Sequence, residues 1–202
     1  MNYISNAQWS NYASTAVWMI VGIVVLGAVL LVGIYNRIVA LRQRRKNAFA
    51  DVDVQLKLRY DLVPNLVATV KGYADHEKGL LENVTNARAN AMRGGGITER
   101  VKAEQALGAA VTNLMAVAEN YPQLKADTNF RQLQADLSDI ENKIAAARRF
   151  FNNATSEYNT TIQQFPAVLL AKAMNLKEEL FFEVDVAEQQ AVKTPPKVNF
   201  GT

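Results

Sequence analysis

The chain has 202 residues, of which half are hydrophobic, 10 are glycine, 5 are proline and none is cysteine. This length suits one ordinary domain with an additional element. The composition differs from that of disordered chains and of turn-rich all-β domains, so helix is the expected structure. Without cysteine, the chain can form no disulfide, thiolate metal site or cysteine nucleophile.

The formal net charge of +3 comes from one short segment. Residues 1–36 contain no charged side chain, and residues 37–46 contain five basic residues and no acid. Removing these five from the 22 lysines and arginines leaves 17 against 19 acids, so residues 47–202 are slightly acidic. A spread basic face of the kind that binds phosphate backbones is missing, and nucleic acid is not an expected partner.

Residues 17–35 read VWMIVGIVVLGAVLLVGIY and contain no charged side chain. As a helix this segment extends about 28 Å, close to the ~30 Å hydrocarbon core of a bilayer. Trp18 and Tyr35 stand near its two ends, where aromatic rings favour the headgroup level. We expect a transmembrane helix. A cleavable signal peptide fits less well, because the start lacks a basic region and the apolar run is long.

The basic residues after this segment predict its orientation, since positive residues that flank a span stay in the cytoplasm. They are Arg37, Arg42, Arg44, Arg45 and Lys46. Residues 1–16 are therefore expected to form a short extracytoplasmic tail, and everything after Tyr35 is expected to be cytoplasmic. The same basic residues can contact anionic headgroups, and the alternative is that they act as a topology signal alone.

An apolar seam with alternating spacings of three and four continues through residues 49–91 and predicts one long helix, or two in line, running on from the span. Arg59 and Glu77 are the two polar residues of this seam. They could set register or partner choice, or lie at the solvent edge. Pro64 predicts a kink near residues 60–64, with Asp61 as the N-cap of a restarted helix.

Three consecutive glycines, Gly94, Gly95 and Gly96, predict a turn between helices. A phosphate-binding loop would need a preceding strand and a suitably placed lysine, and the sequence has neither. Thr98 is a plausible cap for the next helix, which is predicted at about 98–120 and ends at Pro122.

The next helix is predicted from Asp127 or Thr128 to residue 163, with a seam of nine positions. These are Phe130, Leu133, Leu137, Ile140, Ile144, Ala147, Phe151, Ala154 and Tyr158. Pro166 opens a short fourth helix that is expected to pack through Leu169, Leu170, Ala173 and Met174. Residues 181–186 should dock on the bundle, and residues 187–202 should be extended or disordered. The predicted fold is all-α: a transmembrane helix, then an antiparallel three- to four-helix bundle over residues 36–186.

His76 is the only histidine and stands between Asp75 and Glu77. One histidine with local acids supplies neither a pocket nor three convergent ligands, so no metal, cofactor or catalytic residue is predicted. Acids elsewhere, such as Asp53 and Glu141, are interpreted as solvated helix faces.

Two long stretches and a closing FFE resemble the LemA family of bacterial membrane proteins over about residues 35–183. They read YNRIVALRQRRKNAFADVDVQLKLRYDLVPNLVATVKGYADHE and AVAENYPQLKADTNFRQLQADLSDIENKIAAARRFFNNATSEYNTTIQQFP. The resemblance implies a bacterial inner-membrane anchor and a cytoplasmic antiparallel helical bundle. It implies no catalytic residue. Relatives of the family include a protein involved in forming the magnetosome membrane, which by analogy suggests membrane organisation.

The predicted function is that of a membrane-anchored, non-catalytic helical scaffold that self-associates or recruits partners and organises or shapes the membrane. The expected partners are the lipid bilayer and further copies of the chain or other membrane-associated proteins, with no small-molecule substrate. Arg59, His76 and Glu77 are the candidate partner or oligomer surface. Self-association is expected because a small bundle leaves some apolar side chains exposed, such as Leu58, Leu62, Leu81 and Met115.

Two alternative functions are considered. The first is an adaptor for a membrane peptidase or a signalling protein. The second, less favoured, is a metal-dependent enzyme that uses His76 and nearby acids.

Overall fold

The computed structural model describes residues 6–182, with side chains from residue 14 onward. Six α-helices form this part of the chain, and it contains no strand. They are α1 (Asn6–Lys71), α2 (Lys78–Met92), α3 (Ile97–Ala118), α4 (Pro122–Ala126), α5 (Thr128–Gln163) and α6 (Ala167–Ala173). The all-α prediction is confirmed. The predicted tail at 187–202 lies outside the described residues, as do residues 183–186 of the predicted docking segment.

The described residues divide into two compact units. Unit 1 contains α1 up to Arg44 together with Ser156–Glu179, which includes the end of α5 and all of α6. Unit 2 contains Arg45–Thr155 and the chain from Leu180 onward. Each unit has its own hydrophobic core.

The core of unit 1 is small and is built where α6 packs on α1 and α5. Its buried residues are Ile38, Tyr158, Ile162, Ala167 and Ala171. The face of α6 that packs is therefore the alanine face, because small side chains allow a short helix to approach closely. The predicted packing face was wrong apart from Leu170, since Leu169 is 60% exposed and Met174 is 42% exposed.

The core of unit 2 is formed by the second half of α1 with α2, α3, α4 and α5. The predicted seam of α5 is confirmed, because each of its nine positions is buried or partly buried. On α1, the seam residues Val52, Leu56, Val63, Leu66 and Val70 are all at most 2% exposed. A regular three-and-four spacing thus identified the buried faces of both long helices.

The helix after the span is not continuous to residue 91 as predicted. α1 ends at Lys71, and α2 folds back beside it: Arg88 Nε donates to the carbonyl oxygen of Tyr60, and Tyr60 Oη lies 3.4 Å from that of Ala91. Gly72 follows the last helical residue, and a glycine costs a helix about 1 kcal/mol relative to alanine. The three-and-four spacing of apolar residues continues across this turn only by chance. Tyr73 falls on that spacing but is 40% exposed.

α1 also continues without interruption through Pro64, so Asp61 does not cap a restarted helix as predicted. A proline inside a helix removes the N–H that would bond to the carbonyl four residues earlier, here that of Tyr60. Arg88 replaces this donor, because its Nε lies 2.6 Å from the Tyr60 carbonyl oxygen. The Arg88 side chain of α2 thus bonds to the Tyr60 carbonyl, which would otherwise be unpaired and would weaken α1 at this point.

The glycine turn is present where it was predicted. Gly94 and Gly95 have φ angles of 70° and 132°, which favour glycine over any residue with a side chain. Gly96 is the N-cap of α3, so the predicted cap at Thr98 was wrong; Thr98 lies within the first turn. α3 begins at Ile97, directly after the glycines, so Thr98 already lies inside the helix and cannot be its N-cap.

The connection between α3 and α5 contains a helix that the sequence did not predict. Pro122 opens α4 at its start, where a missing N–H costs nothing, and Leu124 anchors α4 in the core. Asp127 then caps α5: its Oδ1 accepts the Phe130 N–H at 2.9 Å. The hydrogen bonds from Phe130 and from Tyr73 hold the pKa of Asp127 below its usual range.

We expect Arg88→Met to lower the free energy of unfolding by about 1–3 kcal/mol, because it leaves the Tyr60 carbonyl without a donor. In a Pro64→Ala background, which restores the helical N–H, the same substitution should cost clearly less. Urea unfolding of the four proteins of this cycle, followed by circular dichroism, measures the coupling. Equal costs in the two backgrounds would contradict this role of Arg88.

Candidate functional site

The first half of α1 exposes an apolar surface that no other described residue covers. Apolar side chains from Val17 to Val32 are 44–74% exposed, and Trp18 has the highest value. By length and composition, α1 is the one helix in the described part of the chain that could cross a membrane, and none of its apolar window is buried. A run that is apolar on all sides and unburied is typical of a segment that contacts lipid.

The basic residues after this segment differ in their surroundings. Arg37, Arg42 and Lys46 are exposed. Within unit 1, Arg44 forms a 2.8 Å ion pair with Glu157, and both side chains are about half exposed. Such exposed pairs contribute little to stability.

Arg45 belongs to unit 2 and is partly buried there. Its Nε donates to Thr155 Oγ1 at 3.0 Å, and its Nη2 donates to the Leu180 carbonyl oxygen at 3.1 Å. Its guanidinium also lies 4.9 Å from the centroid of the Phe151 ring. Arg45 was predicted to act at the membrane interface, and the structure gives it a packing role in unit 2.

A buried ion pair lies at the centre of unit 2. Arg59 and Glu104 are each 2% exposed, and Arg59 Nη2 donates to Glu104 Oε2. Arg59 Nη1 also donates to Glu141 Oε1 at 2.8 Å, and the Glu141 side chain is 45% exposed. Arg59 therefore joins α1, α3 and α5. The prediction that it forms a partner surface was wrong, because its side chain is enclosed by the bundle.

Tyr60 completes the hydrogen bonding of the buried carboxylate. Its Oη donates to Glu104 Oε1, so each oxygen of Glu104 accepts from a different side chain. Burial raises the pKa of Tyr60, while the positive charges of Arg100 and Arg59 act in the opposite direction. The phenol therefore keeps its proton at neutral pH and remains a donor.

Three arginines cover a row of three phenylalanine rings in unit 2. Phe151 lies between Phe49 and Phe182, with centroid distances of 5.4 and 6.4 Å. Besides Arg45, Arg100 lies 5.3 Å from the Phe49 ring and Arg148 lies 4.8 Å from the Phe182 ring. These distances are within the range of cation–π attraction.

The acids and arginines around this row pair with one another. Arg100 forms a 2.8 Å ion pair with Asp53. Burial raises the pKa of the Asp53 carboxyl, and the neighbouring Arg100 acts against that change. Burial also lowers the pKa of Arg148, and the charge of Arg59 adds to this effect. Asp53 and Glu141 were interpreted as solvated faces, and both instead hold arginines of the bundle.

The segment after α6 docks on unit 2 as predicted for its described part. Phe182 is 1% exposed. The side chain of Asn152 bonds to both backbone groups of Phe182: Nδ2 donates to the carbonyl at 3.1 Å, and Oδ1 accepts the N–H at 2.8 Å. These two bonds resemble the pair of backbone hydrogen bonds between two β-strands, and they hold the chain at a defined position on α5.

The turn between α1 and α2 contains His76 and Glu77, the other two residues predicted to form a partner or oligomer surface. His76 is exposed there, and Glu77 is partly buried, with its Oε1 accepting from Tyr121 Oη at 3.3 Å. Tyr73 Oη donates to Asp127 Oδ2 at 2.8 Å, which raises the pKa of Tyr73. Within residues 14–182, no three histidine, aspartate or glutamate side chains come together in a way that could hold a metal ion.

Two open cavities lie near this turn. One, of about 270 Å³, is lined by Tyr73, Asn120, Tyr121, Pro122 and Gln123. The other, of about 440 Å³, is lined by Val67, Lys71, Asp75, Lys78, Leu81, Glu82, Thr85 and Asn86. The two lysines of this larger cavity are balanced by two acids, so the cavity favours neither an anionic nor a cationic ligand. Neither cavity combines a nucleophile with a base that could activate it.

Glu104 is the central residue that the sequence interpretation missed. The predicted face of α3 comprised Ala103, Leu107, Ala110, Leu114, Val117 and Tyr121. Of these α3 buries Leu107, Ala110 and Leu114 as predicted, and its other buried residues are Glu104, Val111 and Ala118. Glu104 lies three and seven residues before Leu107 and Val111, so it follows the buried spacing. A lone acid in this stripe, opposite a lone arginine in the stripe of α1, was the signal that could have revealed the pair.

Comparison with known proteins agrees with this architecture. The profile of the LemA family matches residues 48–200, about three quarters of the chain. This protein belongs to the LemA family. The matched region contains all of α2 to α6 and the half of α1 that packs in unit 2, so the family resemblance seen in the sequence is confirmed.

Three more distant relatives have names that refer to magnetosomes. Magnetosome protein MamQ of Magnetospirillum gryphiswaldense is 23% identical over 187 residues, covering 80% of this chain and 69% of the relative. Magnetosome proteins MamQ 1 and MamQ 2 of Paramagnetospirillum magneticum are each 24% identical over the same length and with the same coverage. With the exposed apolar half of α1, these similarities identify this LemA-family chain as a membrane-associated helical protein.

We expect Arg59→Met to lower the free energy of unfolding by about 3–5 kcal/mol, because it leaves the Glu104 charge buried without its partner. The double variant Arg59→Met/Glu104→Met should be more stable than either single variant, since it removes both charges. Arg44→Met is the matched control, and its exposed pair should contribute less than about 1 kcal/mol. Chemical unfolding of the four variants measures these values. Equal losses for Arg59→Met and Arg44→Met would contradict the central role of the buried pair.

Proposed function

We propose that this LemA-family protein is a membrane-anchored, non-catalytic helical scaffold that self-associates or recruits partner proteins. The observation that carries the proposal is the apolar surface from Val17 to Val32, which is exposed on all sides of α1, whereas two hydrophobic cores form elsewhere in the described chain. In water such a surface is strongly unfavourable, whereas in a bilayer it is matched to its surroundings.

The proposed topology is a single span at residues 17–35 of a bacterial inner membrane, with the N-terminus outside and the chain after Tyr35 in the cytoplasm. The support for this orientation is the exposed basic set of Arg37, Arg42 and Lys46 directly after the span. Basic residues within this distance of a span are retained on the cytoplasmic side. The chain before the span carries no charge that would oppose its export.

The proposal of a scaffold rests on how unit 2 uses its polar residues. Arg59 and Tyr60 of α1 both bond to Glu104 of α3, and Arg100 of α3 pairs with Asp53 of α1, so these groups join helices. Relatives named as magnetosome proteins agree better with the building of a larger cellular structure than with turnover of a small molecule. A rigid helical bundle that is held at a membrane is suited to this use.

The surface we propose for self-association lies on α1 within unit 2. Val54 is 55% exposed and Leu58 is 45% exposed, and their spacing of four puts them on one side of the helix. Of the other residues expected to be exposed, Leu81 is buried and Leu62 and Met115 are partly buried, so they are less suited. Adjacent exposed apolar side chains on a bundle are typical of contact surfaces.

The topology can be tested directly because the chain has no cysteine of its own. We expect Ser5→Cys to react with a membrane-impermeant maleimide in intact cells, whereas Ser138→Cys on α5 should react only after lysis. Mass shift on gels measures the labelling, and the protein should stay in the membrane pellet after an alkaline wash. Labelling of Ser138→Cys in intact cells would reverse the orientation, and release by the wash would refute the anchor.

Self-association can be tested with the same approach. We expect Leu58→Cys to form a disulfide-linked dimer in oxidised native membranes with a higher yield than Ser138→Cys, which serves as the exposed control. Non-reducing gels and mass spectrometry of the product give the yield and its composition. A defined second protein in the product would favour an adaptor over a self-assembling scaffold. Monomers alone from both variants, with no co-purifying protein, would contradict the proposal.

A further inference from the structure

α6 and the turn before it present apolar side chains that no described residue covers. Phe165 is 80% exposed and Leu169 is 60% exposed. Leu169 lies on α6, and Phe165 lies in the turn that leads into it. The opposite side is the one that packs, because Ala167 and Ala171 are 7% and 4% exposed. This short element is therefore apolar on both its inner and its outer side.

The position of α6 along α1 is defined by the core of unit 1. Ile34, Ile38 and Leu41 of α1 pack in the same cluster as Ala167 and Ala171. Ile34 belongs to the last turn of the uncharged segment 17–35. The outward face of α6 thus lies beside the point where the proposed span leaves the hydrocarbon core.

We propose that Phe165 and Leu169 form a second membrane contact, inserting into the boundary between headgroups and acyl chains of the leaflet from which α1 emerges. The proposal rests on the proposed function, since it needs α1 to cross the bilayer. Aromatic side chains favour this boundary, and interfacial helices bury their apolar face about 5–10 Å into it. α6 would then fix the rotation of α1 about its own axis, because only one side of α1 can carry it.

The charges around this face favour lipid over a second copy of the chain. Lys172 is the only charged residue of α6 and is exposed. Arg37 and Arg42, on the neighbouring turns of α1, are exposed and basic as well. Anionic headgroups attract such residues, whereas a second copy would bring a further set of basic residues to the same surface and so add repulsion.

The test uses the full-length chain in vesicles of phosphatidylcholine and phosphatidylglycerol, with the fluorophore NBD on single cysteines. Phe165→Cys and Leu169→Cys report on the proposed contact. Tyr35→Cys marks the interface, Val25→Cys marks the centre of the span, and Ser156→Cys is the exposed control within unit 1. Nitroxides attached near the lipid headgroup or deep in the acyl chain quench the dye according to its depth.

We expect the labels at 165 and 169 to be quenched by the shallow nitroxide as strongly as the label at 35, and their emission to be blue-shifted. The label at 156 should be quenched by neither nitroxide. Circular dichroism checks that each labelled protein is folded.

The other outcomes separate this inference from the proposed function. Deep quenching at position 25, with the labels at 165 and 169 behaving like the one at 156, would overturn the second contact and leave the anchor intact. Absence of quenching at position 25 would overturn the anchor itself. A disulfide between two copies at position 165, in place of lipid quenching, would assign the face to a second copy and refute the membrane contact.

Discussion

The structure depends on keeping every backbone polar group of α1 satisfied within one helix. In a bilayer an unpaired N–H or carbonyl costs several kcal/mol, so an apolar segment can cross only as a helix. The same helix continues into unit 2, where the constraint is met differently at one point. Pro64 removes a donor from the helical ladder, and Arg88 of α2 supplies the missing bond to Tyr60. The uninterrupted course of α1 through its proline is therefore a property of the helix pair and not of α1 alone.

The buried charges of unit 2 give the bundle a defined register. Arg59 bonds to carboxylates on α3 and α5, and Tyr60 bonds to the same carboxylate on α3. Apolar side chains tolerate small shifts along a helix, whereas a buried ion pair is strongly destabilised when its partners separate. Sliding α3 by one turn would separate the buried Glu104 from both Arg59 and Tyr60. A bundle of this kind presents its outer residues in a reproducible arrangement, which a scaffold needs.

Much of the fold could be predicted from the sequence because the long helices carry regular apolar stripes. α5 follows its predicted limits closely, and the glycine turn begins with two residues at positive φ. Two of the failures have a common cause, because each depends on a partner that lies far away in the chain. Nothing near Pro64 in the sequence indicates that Arg88 would supply the missing bond, and Glu104 could be matched to Arg59 only by comparing the buried stripes of two separate helices. The fold-back after Lys71 was hidden because the apolar spacing happened to stay in phase across the turn.

The docking of the chain after α6 has a consequence for how the protein is made. Arg45, the first residue of unit 2, bonds to Leu180, which lies 135 residues later in the chain. The Asn152 side chain likewise holds Phe182 beside the Phe151 ring. Contacts between such distant residues form late, because the loop that they close must exist first. On the ribosome, residues 17–35 would emerge long before residues 180–182 are synthesised. Unit 2 would therefore complete its packing only after residue 182 has been made and, with the proposed anchor, while it is already tethered to the bilayer.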